Sequence, residues 1–210
     1  MTAEDLRARV AESYARLRMP SWPDPHADPD FPRDEEYSRV TDPGRYRVVH
    51  ARARVWAEVL GTQSGVSVEA LAPGRLGDGE RFDRGARITS ARPGTLPLLL
   101  LEQDAPLAVL HVGVVRPEIA VSVQPDCGCD ACDWGSDDLL EAIDEAVTAA
   151  IGPFVALHGR GWDAQWHPGG GSSSGTHHER ALELCRRLAD GEDVPLPDGT
   201  EAHVGRSWFS

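Results

Sequence analysis

An α+β fold, a mainly antiparallel sheet of about six to eight strands with about four helices packed on it, follows from three features of the chain. Apolar residues recur with helical period near both ends and with period two in the middle. The central segments follow one another through short Gly, Pro and Asp clusters with no helix between them, which favours antiparallel neighbours. Finally, 40% hydrophobic and 26% charged residues is the balance of a soluble globular protein, and the 210 residues are read as one domain, 1–210.

Thr2 and Asp5 have the spacing of a capping box, and Leu6, Val10, Tyr14 and Leu17 then recur on one helical face until Pro20. From Pro20 to Pro32, five prolines fall among Trp22, Asp24, Asp28 and Asp30; they remove backbone donors, so residues 20–41 are expected to wrap the surface as an extended Pro/Asp-rich arm. Asp42 as N-cap and Pro43 at the first helical position open a second helix whose stripe of Tyr46, Val49, Ala53, Trp56 and Leu60 ends at Gly61.

Five strands follow, Gly65 to Leu71, Ala86 to Ala91, Leu96 to Leu101, Leu107 to Val115 and Glu118 to Val123. After a cysteine-bearing loop, Ser136 is placed to cap a third helix with Asp137 and Asp138 in its first turn and Leu139, Ile143, Val147 and Ile151 on one face. Phe154 to His158 and Gly161 to Trp166 read as a hairpin in which Trp162, Ala164 and Trp166 share the core face. Residues 167–175, rich in Gly and Ser, are expected to form a mobile loop. Thr176 with Glu179 then suggests a capping box for a fourth helix through Leu182, Cys185 and Leu188, before a last short strand near His203 to Phe209.

Charge narrows the function. All 21 basic residues are Arg, and the chain lacks Lys and Asn, which excludes a Schiff-base lysine, a phosphate-loop lysine and N-glycosylation. Of the net charge of -13, residues 117–210 carry -12, with nine acids and no base between Arg116 and Arg160. That field repels a nucleic-acid backbone and suits a basic protein partner or a metal cation. The N-terminal segment lacks the apolar core of a signal peptide, and the longest aliphatic run, Leu98 to Leu101, is far too short for a bilayer, so a cytoplasmic protein with reduced or metal-bound cysteines is expected.

Cys127, Cys129 and Cys132 lie in Pro125-Asp126-Cys127-Gly128-Cys129-Asp130-Ala131-Cys132-Asp133. Three thiols this close, hinged on Gly128, have the spacing to converge on a tetrahedral zinc. The flanking Asp126, Asp130, Asp133, Asp137 and Asp138 are expected to push the thiols upward in pKa, against redox catalysis, while a divalent cation supplies the missing positive charge. Three thiolates favour a neutral fourth donor, and His167 is the first choice, with Cys185, Asp130, Asp133, His177 and His178 as alternatives. Free thiols, or a Cys129–Cys132 disulfide formed after lysis, are the competing account.

Other groups carry weaker signals. Gly169 to Gly175 before a helix has the look of an anion loop without a lysine. Arg45, Arg47, Arg52 and Arg54 read as a solvated helix face paired with Glu35, Glu36 or Glu58, and His111 as a satisfied core histidine.

The strings RPEIAVSVQPDCGCDACD (116–133) and GWDAQWHPGGGSSSG (161–175) resemble a domain-of-unknown-function family of high-GC, actinobacterial bacteria. The resemblance implies a self-contained cytoplasmic domain and carries no activity. The function expected is therefore a binding protein with a structural zinc, whose acidic C-terminal half meets a basic partner. The rival is a metal-dependent hydrolase or transferase with Asp130 or His167 as general base.

Overall fold

The computed structural model describes residues 2–26, 32–77 and 79–209. Within them the chain is α+β, with four α-helices and eleven strands, and every strand pair is antiparallel. No helix among these residues is long and apolar enough to cross a membrane.

The strands divide among three sheets. The five-stranded sheet runs in the order β1 (Val66–Leu71), β4 (Arg84–Ser90), β5 (Leu98–Gln103), β6 (Val109–Val114) and β7 (Ala120–Gln124). The four-stranded sheet has the order β10 (Gly170–Ser174), β9 (Trp162–His167), β8 (Phe154–Gly159) and β11 (Glu201–Gly205). A two-stranded ribbon, β2 (Gly74–Arg75) with β3 (Arg81–Phe82), completes the set.

The unbroken run Leu98 to Leu101 is explained by burial on both faces of β5. Alternation sends Leu98 and Leu100 toward the main core and Leu99 and Leu101 toward Leu76 and Phe82 of the ribbon. The main core is closed by α1 (Ala3–Ala15) through Leu6 and Val10, α2 (Val48–Gly61) through Val49 and Trp56, and α3 (Ser136–Ile151) through Ile143 and Val147. β8 serves two cores by the same alternation: Phe154 and Ala156 join the main one, while Val155 and Leu157 pack with Ala164 and α4 (His178–Ala189). An ion pair lies within the helical layer, where buried Arg52 of α2 holds buried Asp144 of α3, whose carboxylate also accepts from Trp56 Nε1 at 2.7 Å.

Several expectations are corrected. The Thr2–Asp5 capping box forms, but Pro43–Arg47 is a 3₁₀ turn ahead of α2, and Asp42 makes no side-chain cap. Gly44 directly after Pro43 disfavours α-helical propagation at that point. Gly135, at φ 92°, caps α3 in place of Ser136; a Cβ there would lie 2.7 Å from the Asp24 backbone nitrogen. α4 begins at His178 without a side-chain cap, so the Thr176–Glu179 box does not form.

The expected mobile loop at 167–175 contains β10, which pairs along β9 from Gly170↔His167 to Ser174↔Asp163. Pairing with a rigid neighbour overrides the low strand propensity of Gly and Ser. In the arm, Asp34–Ser38 forms a 3₁₀ turn, residues 27–31 lie outside the described set, and the remaining described residues lack regular structure. The ribbon β2–β3 went unforeseen because two-residue strands carry no readable period. The last strand ends at Gly205, short of Phe209.

Candidate metal centre

β7 delivers the chain to the cysteine loop and α3 carries it away, so rigid elements hold both ends. Gly128 packs against Leu107, whose Cδ2 would lie 2.2 Å from a Cβ at that position, so the loop sits flush on a residue two positions before β6. Residues Asp130–Cys132 form a 3₁₀ turn, closed by the Cys132 N–H donating to the Cys129 carbonyl at 3.1 Å. This folds the backbone back and gathers the sulfurs. The Sγ atoms of Cys127, Cys129 and Cys132 all lie within 4.8 Å of one another, and Cys127 donates to Cys129 at 3.2 Å. Cys127 is exposed, Cys132 half-buried and Cys129 buried.

Asp126 accepts from the Cys127 N–H at 2.8 Å, while Asp130 and Asp133 are engaged by other residues. Asp130 accepts from Arg39 Nε at 2.6 Å, from the Thr41 backbone N–H at 2.8 Å and from the Thr41 hydroxyl at 2.5 Å. These donors hold its pKa at about 2. Buried Asp133 accepts from Trp22 Nε1 at 2.9 Å, from Gly135 N–H at 3.0 Å and from Arg45. The Arg45 guanidinium in turn lies 5.0 Å from the Trp22 ring centroid and 5.1 Å from that of Tyr46. His26 Nε2 is 3.0 Å from the Asp130 carbonyl, and Ser136 bonds to the Trp22 backbone. The N-terminal arm is thus the outer wall of the cysteine loop.

This corrects the electrostatic expectation. Asp130 and Asp133 are neutralised by Arg39 and Arg45, and the thiols respond chiefly to one another. Burial opposes ionisation of Cys129, but the Cys127 and Cys132 thiols and the N–H groups of Cys132 and Ala131 donate to it and bring its pKa below the usual thiol value. Cys132, hydrogen-bonded to Cys129 and Cys127 and partly desolvated, is pushed up to about 12. Ionisation is thus eased at Cys129 and opposed at Cys132, and a divalent cation supplies the positive charge needed for all the thiols to ionise together.

His167 is not brought to the thiols. It ends β9 in a separate cleft of about 840 Å³ beside Gln124, Glu145 and Thr148, where its Nδ1 accepts from the Gly169 N–H at 3.2 Å and burial lowers its pKa. Cys185 is fully buried under α4, with burial raising its thiol to about 11, and His178 Nδ1 pairs with the Ser173 hydroxyl at 3.0 Å. His177 is the N-cap residue of α4. Among the described residues, the group that clusters around the loop is the three thiols. His111 is buried beside Gln103, and the anion-loop reading of 169–175 gives way to β10.

Trp22, Arg39 and Thr41 of the arm, and Arg45 of the 3₁₀ turn that follows it, were not anticipated as supports of the site. A signal existed: an arginine-rich first half facing a nine-acid stretch without a base. The arginine face itself is corrected: Arg45 pairs with Asp133, Arg52 with Asp144 and Arg54 with Glu102, none with the glutamates expected.

The profile of a family of unknown function (DUF6226) matches residues 10–210. Neither the curated proteins nor the solved structures compared with the chain contain a match.

Proposed function

Since the chain belongs to this family of unknown function, whose description assigns no activity, its role must be read from its own chemistry, and we propose that it is a zinc-binding protein using Cys127, Cys129 and Cys132. The convergence of these sulfurs within 4.8 Å carries the reading. Soft thiolates select thiophilic ions over Mg²⁺ or Ca²⁺, and zinc is the common tetrahedral partner of cysteine. The ion's role is structural. It cross-links the turn on which the arm, β7 and the start of α3 meet. Exposed Cys127 turns the centre outward, so a donor from another protein molecule can close the tetrahedron that a structural ion takes. Reduced, zinc-bound thiols suit a cytoplasmic setting.

Protein purified without chelator should contain about one zinc per chain, and the Cys129→Ser and Cys132→Ser variants should lose it. Cobalt substitution should give a thiolate-to-metal charge-transfer band in the wild type alone. A metal-free wild type, or equal metal in the variants, removes the proposal.

A second reading, docking of a basic protein on α3, has its own support. Asp137, Asp138 and Glu145 are exposed and form no ion pair among the described residues. Binding of an arginine-rich peptide should weaken with salt and in an Asp137→Asn/Asp138→Asn variant; binding that responds to neither defeats it.

A further inference from the structure

Far from the cysteines in sequence, α2, the ends of β4 and β5 and the segment after α1 enclose a cleft of about 720 Å³. That is the size of small-molecule sites. Leu17, Met19, Ala51, Val55 and Ala108 make an apolar wall, and Leu17 is 49% exposed although it is a large aliphatic residue. Facing them is an ionic floor. Glu102 is buried and accepts from Arg54 Nε at 2.9 Å and Nη2 at 2.5 Å, and from Arg84 Nε at 2.7 Å. Arg84 also grips Asp104 with its two terminal nitrogens, at 2.8 and 2.5 Å. Buried His50 closes the floor, with Nε2 3.0 Å from the Val109 carbonyl and Nδ1 3.6 Å from Asp104 and 3.7 Å from Glu102.

Glu102 and His50 are buried, whereas Arg54, Arg84 and Asp104 are about half exposed, so the arginines reach a buried carboxylate from the solvent side. The geometric effect is to fix the cationic side of the cleft. The hydrogen bond to Asp104 holds Arg84 firmly charged, and that to Glu102 does the same for Arg54. Arg47, the last residue of the 3₁₀ turn before α2, lines the cleft, is exposed, and its side chain has no ion-pair or hydrogen-bond partner among the described residues. Its planar fork of donors is therefore uncommitted, beside an apolar wall that is itself incompletely covered.

We infer that this cleft binds a small organic carboxylate, its carboxylate on Arg47 and its hydrocarbon part against Leu17, Met19 and Val55. A monoanion is specified because Glu58 and Asp104 also line the cleft and would repel the second charge of a phosphate monoester. Since Glu102 and Asp104 are already held by Arg54 and Arg84, a cationic amphiphile has Glu58 to pair with and must share the cleft with the uncommitted Arg47. No residue of the cysteine loop lines the cleft, so binding there requires no metal.

Calorimetric titration of the full chain with octanoate tests this, with octylamine, octanol and octyl phosphate as comparisons. Octanoate should bind saturably with a dissociation constant of about 1 mM or tighter. The other three should bind at least about tenfold more weakly, about 1.4 kcal/mol. Arg47→Ala should lower octanoate affinity by a similar factor while leaving the unfolding midpoint and zinc content unchanged, because Arg47 supports no other residue. Leu17→Glu, an exposed change that adds a repelling carboxylate to the apolar wall, should do the same. No saturable binding of octanoate, equal binding by Arg47→Ala, or a preference for octylamine overturns the site. Tighter binding of octyl phosphate overturns the carboxylate assignment.

Discussion

The indole Nε1 of Trp22 donates to the Asp133 carboxylate at 2.9 Å across 111 positions of sequence. The bond ties the N-terminal arm to the residue immediately following the last cysteine. Asp133 is buried, so the carboxylate needs every donor that reaches it, and Trp22, Arg45 and the Gly135 N–H each supply one.

Trp22→Phe keeps most of the ring contact with Tyr46, a T-shaped pair at 5.9 Å, and deletes only the N–H. The expected cost is about 1 to 3 kcal/mol, the range for removing a donor from a buried charged acceptor. Urea unfolding measures it. Zinc affinity should fall as well, since the turn loses part of its outer wall; unchanged stability and unchanged affinity would sink the claim that the arm supports the loop.

Arg52→Met should be more damaging, at about 3 to 5 kcal/mol, because it leaves Asp144 buried with Trp56 Nε1 as its remaining side-chain donor. The double variant Arg52→Met/Asp144→Leu should recover much of that loss, since the uncompensated charge is gone. A double-mutant cycle by thermal unfolding reads the coupling, and simple additivity of the two single changes would contradict it.

What was legible in the chain is what local periodicity encodes. Leu96 to Leu101 announced a strand, and Cys127, Cys129 and Cys132 announced convergent sulfurs, because each signal is complete within a few residues. The partners of Asp130 and Asp133 were not legible. Arg39 and Arg45 lie 91 and 88 positions away, and composition says that the charges match without saying which pairs meet. β10 was hidden for a related reason: Gly170 to Ser174 acquires its conformation from β9, and a Gly/Ser string is equally compatible with a free loop. His167 borders that string, and the pairing of β10 with β9 leaves it lining another cleft.

Gly135→Ala tests the docking of arm and helix at one atom. The backbone sits at φ 92°, and the added Cβ would lie 2.7 Å from the Asp24 nitrogen and 2.9 Å from the Pro23 carbonyl carbon. Strain and displacement together should cost about 2 kcal/mol or more. The arm must shift, so trypsin should cut after Arg33 and Arg39 faster in the variant than in the wild type. Equal cleavage rates would show that the arm does not depend on this contact.

Cys185 and Cys127 should behave as opposites. Cys185 is fully buried, and burial lifts its thiol from the ordinary 9.0 to about 11, whereas Cys127 is exposed. Iodoacetamide at neutral pH should therefore modify Cys127 first, more slowly once zinc is bound, and reach Cys185 after unfolding. The same shift has a thermodynamic sign. Below about pH 9 the thiol is protonated in folded and unfolded chains alike and contributes no pH dependence. Between about pH 9 and about pH 11 the unfolded chain releases that proton and the folded chain keeps it, so stability is lost as pH rises. The loss through this group is about 2 to 3 kcal/mol, and Cys185→Ala, though less stable at every pH, should show a correspondingly shallower decline. Parallel stability curves for the two proteins from pH 8 to 11, or native-state labelling of Cys185 at the rate of Cys127, would contradict its burial.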